Sequence, residues 1–121
     1  MAALVAVLGL GAACGSGDAD RATQEGKTTS KADVTVTAQD TNFPTKQFTA
    51  HAGNVTIRYV DEGKLAHTLV MEGVPGWKKL EVNGKGDAET GTITLAPGAY
   101  TMFCDVPGHR AAGMQATLTV G

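Results

Sequence analysis

Three side chains that are good copper ligands lie close together near the C-terminus. Cys104, His109 and Met114 offer a thiolate, an imidazole and a thioether within one short stretch, although the chain has only two Cys, three His and four Met. A further imidazole, His67, would complete two His and one Cys with a weak axial Met. That combination is the ligand set of blue-copper electron-transfer sites.

This ligand set suits an ion that alternates between Cu(I) and Cu(II). Thiolate and thioether favour the soft Cu(I) state, whereas imidazoles bind either state. A loop would hold Cys104, His109 and Met114 together, and a separate strand would deliver His67. If rigid elements anchor both parts, the site changes little when an electron moves, and transfer is fast.

The elements that carry these ligands have the pattern of β-strands. Short runs of alternating apolar and polar residues recur between turns rich in Gly, Pro, Asn and Asp, which favours a sandwich or small barrel. The predicted strands are 34–38, 54–60, 67–71, 92–95, 99–104 and 115–120, with a further short strand around Phe48. The segment from Glu72 to Glu89 is the least regular and predicts a helical turn or only loop.

Alternation along these strands directs the ligands toward one another. Each shares its parity with core-type residues of its own strand: Cys104 with Tyr100 and Met102, His67 with Leu69, and Met114 with Ala116 and Leu118. Three strand ends can therefore face one interior pole. His109 would come from the loop between two of them.

Composition limits the remaining classes of function. A chain of 121 residues with a net charge of -2 is one ordinary domain, without the basic stripe of a nucleic-acid binder. Enzymatic copper centres need more histidines or a second Cys near Cys104, so we expect no enzyme. A copper-handling protein would offer Cys pairs or Met-rich tracts, which are absent. Copper handling and a non-redox binding module remain the alternatives.

The N-terminal part differs from the rest. Residues 1–14 are uncharged and apolar, too short to span a bilayer, and resemble an export signal ending in a lipobox, with Cys14 as the acylated residue of a bacterial lipoprotein. No Lys or Arg precedes the apolar run and Gly11 replaces the usual Leu, so a plain secretory signal is the alternative. Residues 15–32 lack apolar periodicity and predict a flexible linker. We expect an exported protein, periplasmic or at the cell surface and anchored through Cys14.

Residues 33–121 resemble a cupredoxin, a small type 1 blue copper protein of the auracyanin and plastocyanin-like kind. The resemblance rests on four segments: 98–104 (GAYTMFC), 107–109 (PGH), 112–114 (AGM) and 66–69 (AHTL). It implies an eight-stranded Greek-key β-sandwich with copper at one pole. His67, Cys104 and His109 would be equatorial ligands and Met114 the axial one.

The resemblance also implies a function. The protein would shuttle single electrons between redox partners such as a cytochrome, an oxidase or a reductase. These partners would dock on apolar surface around the exposed edge of His109, formed by Pro107, Gly108, Ala111 and Ala112, with Pro75 and Gly76 extending it. Two residues depart from the family pattern. Thr68 stands where many members have Asn, and Met102 stands where an aromatic residue is common.

Overall fold

The computed structural model of the protein describes residues 31–121, in which Ala32–Gly121 forms a compact unit. This part contains eight strands and one short helix: β1 (Val34–Ala38), β2 (Gln47–Ala50), β3 (Gly53–Asp61), β4 (His67–Met71), β5 (Leu80–Val82), β6 (Ala88–Leu95), β7 (Gly98–Phe103), α1 (His109–Ala112) and β8 (Gln115–Val120). The all-β fold predicted from the sequence is confirmed. The predicted signal segment and nearly all of the predicted linker lie outside the described residues.

The strands of this part form two sheets. One has the order β1-β3-β6 and the other the order β2-β8-β7-β4-β5. β1 pairs with β3 and β2 with β8 in parallel, and the remaining pairs are antiparallel. Apolar side chains from both sheets make one buried cluster, as expected for a sandwich with a shared core.

β3 shows how alternation builds this core. Val55, Ile57 and Tyr59 are buried, as the sequence predicts, and the residues between them are more exposed. The same parity continues to Asp61, which is fully buried at the end of the strand. A carboxylate therefore reaches the interior at the point where the chain leaves β3 toward the loop before His67.

The segment 72–89 differs from the expected turn or loop. Leu80–Val82 forms β5, which pairs antiparallel with the first residues of β4, and β6 already begins at Ala88. Leu80 and Val82 are buried and Glu81 is exposed. Three residues are too few for this alternation to stand out in the sequence. The strand is stabilised by its pairing with β4. β5 therefore supports the strand end that carries His67.

The loop after β7 contains the helix α1, a single turn at a position where the sequence predicts only a loop. It begins after Gly108, whose φ of 86° is in the left-handed region that glycine adopts without strain. The turn closes back on the sheet, because Met114 N–H donates to the His109 carbonyl at 3.1 Å. Four residues are too short to show a helical period. Within residues 31–121, no helix has the length and apolar character needed to cross a membrane.

Candidate metal centre

Four strand or helix ends deliver the predicted ligands. His67 is the first residue of β4, Cys104 directly follows β7, His109 is the first residue of α1, and Met114 directly precedes β8. The donor atoms of His67, Cys104 and His109 all lie within 4.8 Å of one another. The fold thus brings His67 next to Cys104 and His109, which are far from it in the sequence.

The distances between these donors fit a shared metal ion. His67 Nδ1 is 3.3 Å from His109 Nδ1, and Cys104 Sγ is 3.6 Å from His109 Nδ1. Nitrogen and sulfur ligands stand about 2.0–2.3 Å from a first-row metal ion, so trigonal or tetrahedral donors are about 3.3–4.0 Å apart. The cluster has this spacing. A thiolate with two imidazoles is a donor set that suits copper.

Backbone hydrogen bonds join the ligand segments. Cys104 N–H donates to the Met114 carbonyl at 3.1 Å, and His109 N–H donates to the Val106 carbonyl at 2.9 Å. Cys104 is fully buried and has a free thiol. Met114, to which it is joined by this backbone hydrogen bond, is also fully buried. The Met114 thioether as the weak axial ligand stays a prediction, and so does the complete set of four ligands.

Thr68 contacts the sulfur and the residue that follows it. Its backbone N–H is 3.4 Å and its hydroxyl 3.5 Å from Cys104 Sγ. The hydroxyl donates to Asp105 Oδ1 at 2.7 Å and accepts from Asp105 N–H at 2.9 Å. Thr68 therefore ties β4 to the cysteine loop in spite of its short side chain.

An ion pair extends this contact to the residue that directly precedes β5. Lys79 Nζ donates to Asp105 Oδ2 at 3.2 Å. The hydrogen bond from Thr68, and then that from Lys79, lower the pKa of the Asp105 carboxyl. Lys79 lies near two other lysines, Lys78 and Lys85. All three are exposed, but Lys79 also braces the loop that carries Cys104.

The environment of His67 favours a neutral imidazole. The residue is buried, and burial lowers its pKa, an effect that the nearby Asp61 opposes and His109 reinforces. Asp61 Oδ1 lies 3.9 Å from His67 Nε2, on the ring edge opposite to Nδ1. Sequence reasoning missed Asp61 as part of the site. Its signal was its parity with Val55, Ile57 and Tyr59 on β3.

The surface around His109 contains both small apolar residues and charged side chains. His109 itself is half-buried, and the four residues predicted to surround it, Pro107, Gly108, Ala111 and Ala112, are exposed. Arg110 lies among them: its guanidinium is 3.9 Å from the centre of the Phe103 ring and donates to Glu72 at 2.7 Å. A fixed ion pair therefore borders the small apolar side chains. The third histidine, His51, is exposed and does not belong to the cluster.

Comparisons with known proteins agree with this geometry. Residues 28–121 match the model of the copper binding proteins, plastocyanin/azurin family. Among solved structures, reduced auracyanin from Roseiflexus castenholzii is similar with a TM-score of 0.63 at 21% identity, covering 75% of this chain and 98% of that one. An azurin from Methylomonas sp. strain J has a TM-score of 0.59 at 22% identity, covering 72% and 95%.

A reduced amicyanin variant is similar with a TM-score of 0.56 at 18% identity, covering 73% of this chain and 81% of that one. A search of curated protein sequences finds no match. The structural likenesses at these identities establish the fold, and the family model adds the copper site. His67, Cys104 and His109 provide that site for a single copper ion. The chain belongs to the plastocyanin/azurin family of copper-binding proteins.

Proposed function

We propose that the protein is a one-electron carrier with a type 1 copper site. The observation that carries this proposal is the cluster of one buried thiol and two imidazoles, His67, Cys104 and His109, anchored at strand and helix ends. Copper supplies the one-electron couple between Cu(I) and Cu(II) when it is bound. The chain supplies donors that suit both states and holds them in place.

The anchors of the site are suited to small structural change. β4 and β7 are antiparallel neighbours, with Val70 opposite Phe103, so His67 and Cys104 project from one sheet. Thr68 joins these two strand ends through Asp105. Because hydrogen bonds fix both ends, the distance between the two donors changes little with the charge of the site. This rigidity favours fast electron exchange.

His109 is the proposed route for the electron. It is the more exposed of the two histidines, and small side chains around it let another protein approach closely. We propose that a redox protein, such as a cytochrome, an oxidase or a reductase, docks over Ala111 and Ala112. The adjacent Arg110–Glu72 ion pair offers both signs of charge to that partner.

We propose no catalytic reaction for this chain. Of its three histidines, two belong to the cluster, and the third, His51, is exposed elsewhere. Copper handling as a chaperone or store is the alternative, and it predicts ready release of the ion to an acceptor. The burial of Cys104 and His67 favours retention instead.

We also propose that the protein is exported and tethered to a membrane through an acylated Cys14. The support is the sequence alone: an uncharged apolar run ends at this cysteine, and a polar segment separates it from the domain. Radioactive fatty acid should label the expressed wild-type chain but not Cys14→Ser. Equal labelling of both would reject the anchor and leave the domain's function unaffected.

The electron-transfer proposal is tested with the copper-loaded domain. Voltammetry should show a reversible one-electron wave, and NMR line broadening in mixtures of oxidised and reduced protein should report self-exchange. Ala111→Lys should slow self-exchange without moving the midpoint potential. The matched control is Thr119→Lys. Thr119 is exposed and lies near the end of β8 that is farther from Met114. A copper-loaded protein without a reversible wave would contradict the proposal.

A further inference from the structure

Asp61 is a fully buried carboxylate directly behind the metal cluster. Its Oδ1 accepts the Gly63 N–H at 2.9 Å and its Oδ2 accepts the Gly84 N–H at 2.9 Å. Its backbone carbonyl also accepts the Gly86 N–H at 2.8 Å. The carboxylate is therefore held in one orientation by two loops, one before β4 and one between β5 and β6.

His67 presents the opposite edges of its ring to two different environments. Nδ1 faces the cluster, 3.3 Å from His109 Nδ1. Nε2 is buried and has no hydrogen-bond partner among residues 31–121. The Asp61 Oδ1 atom lies 3.9 Å from it. A hydrogen bond needs about 2.7–3.2 Å, so a movement of roughly 1 Å by the ring would complete one.

We propose that Asp61 is the positioning residue of His67: its carboxylate accepts the Nε2–H and thereby turns the Nδ1 lone pair toward Cys104 and His109. An imidazole that donates from one nitrogen presents the other as a ligand, so the acceptor at Nε2 selects the tautomer. The inference deepens the proposed function. The tautomer itself is a property of the metal-free chain.

The donor count around Asp61 explains why a carboxylate stands there. Two N–H groups, those of Gly63 and Gly84, donate to it, and the proposed Nε2–H of His67 would be the third. An ionised carboxylate accepts all three, because each oxygen offers two lone pairs. An Asn amide would offer one oxygen and add two donors, so at least one N–H would face another. Asp61→Asn thus keeps the size of the side chain but cannot satisfy the site.

A purely structural role, fastening the two loops, is the competing explanation. A variant of Asp87 distinguishes this explanation from the proposed positioning role. It is an exposed carboxylate in the connection between β5 and β6, where it accepts the N–H groups of Asn83 and Ala88 at 2.8 and 2.9 Å. Asp87→Asn therefore removes the same charge and similar loop hydrogen bonds, but it does not face His67.

The first measurement is NMR of the metal-free wild-type protein with ¹⁵N-labelled histidine at neutral pH. We expect the His67 ring to carry its proton on Nε2, with a bare Nδ1. A proton on Nδ1, or an equal mixture of tautomers, would overturn the proposal. This measurement needs no variant, so it can overturn the proposal even if Asp61→Asn does not fold, whereas the comparison of variants below assigns the tautomer to Asp61. It is also independent of whether the loaded protein transfers electrons.

The second measurement is Cu(I) affinity by competition with a chelator, on Asp61→Asn and Asp87→Asn. Loss of a partner behind a ligating histidine lowers metal affinity by about 10–100-fold, and we expect this loss for Asp61→Asn alone, together with a mixed His67 tautomer. Equal changes in the two variants, or an unchanged tautomer in Asp61→Asn, would leave only the structural role. A protein that passes both tests but lacks a reversible one-electron wave would refute the function and not this inference.

Discussion

Replacing Thr68 by Val tests how the cysteine loop is held. The hydroxyl lies 2.7 Å from Asp105 Oδ1 but 3.5 Å from Cys104 Sγ. Its single proton therefore goes to the carboxylate, and the sulfur receives its hydrogen bond from the Thr68 backbone N–H at 3.4 Å. Thr68→Val removes the tie to Asp105 and retains the bond to the sulfur.

The cost follows from the two hydrogen bonds that are lost. A bond to a charged group contributes about 1.5–3 kcal/mol and a neutral one about 0.5–1.5 kcal/mol. Asp105 is exposed, so water replaces part of both bonds in the variant. We expect a loss of about 1–2 kcal/mol in the free energy of unfolding. For a domain of this size that lowers the Tm by roughly 4–8 °C per kcal/mol.

The assay compares thermal unfolding of the metal-free proteins with the visible spectra of the copper-loaded ones. Thr117→Val, which removes a hydroxyl from a half-buried position in the middle of β8, is the matched control. We expect Thr68→Val to be less stable than the control and to keep its thiolate-to-copper band. Equal stability of the two variants, or loss of the band in Thr68→Val, would refute the reasoning.

Three further predictions concern the axial ligand and the loop before His67. Met114→Leu should keep the colour of the copper-loaded protein but raise its reduction potential by voltammetry, because the axial ligand tunes that potential; an unchanged potential would argue against ligation. Gly63→Ala should destabilise the fold by about 1–3 kcal/mol in denaturant unfolding, because the added Cβ would lie 2.8 Å from the Asp40 backbone nitrogen. The control is Gly76→Ala, whose Cβ meets only the end of a flexible side chain at 3.3 Å, and it should be nearly neutral. Two backbone N–H groups of the same loop lower the pKa of Asp40 below 3.8, so its carboxylate stabilises the fold above that pH and the contribution is lost as the pH falls through the lower folded value. Asp40→Asn should therefore unfold at a lower temperature than wild type at neutral pH and at the same temperature in strong acid; a constant difference would contradict this.

The sequence predicts the parts of the structure that local patterns determine. Alternation along β1, β3 and β8 correctly indicates which side chains are buried, and the ligand spacing identifies His67, Cys104 and His109 as a cluster. These features depend on residue type and on the two-residue period of a strand. The burial pattern does not depend on a distant partner, whereas His67 joins the cluster from a segment that is far from Cys104 in the sequence.

The missed features depend on contacts between distant segments. β5 is a three-residue strand that exists through its pairing with β4. Thr68 meets Asp105 from another strand end, so its short side chain suffices where many family members have Asn. Asp61 has the parity of the buried residues of β3, but aspartate is a residue type that is usually exposed. Its burial is explained by the N–H of Gly63, in the loop that follows β3, and by that of Gly84, in a remote loop.

The measurement that tests the central claim most directly is the visible spectrum after Cu(II) is added to the purified domain. A copper ion bound by Cys104, His67 and His109 predicts one equivalent of copper and an intense blue thiolate-to-copper band. The band should be absent in Cys104→Ser. A protein that binds Cu(II) without colour, or that binds only Cu(I), would contradict the assignment of a type 1 site.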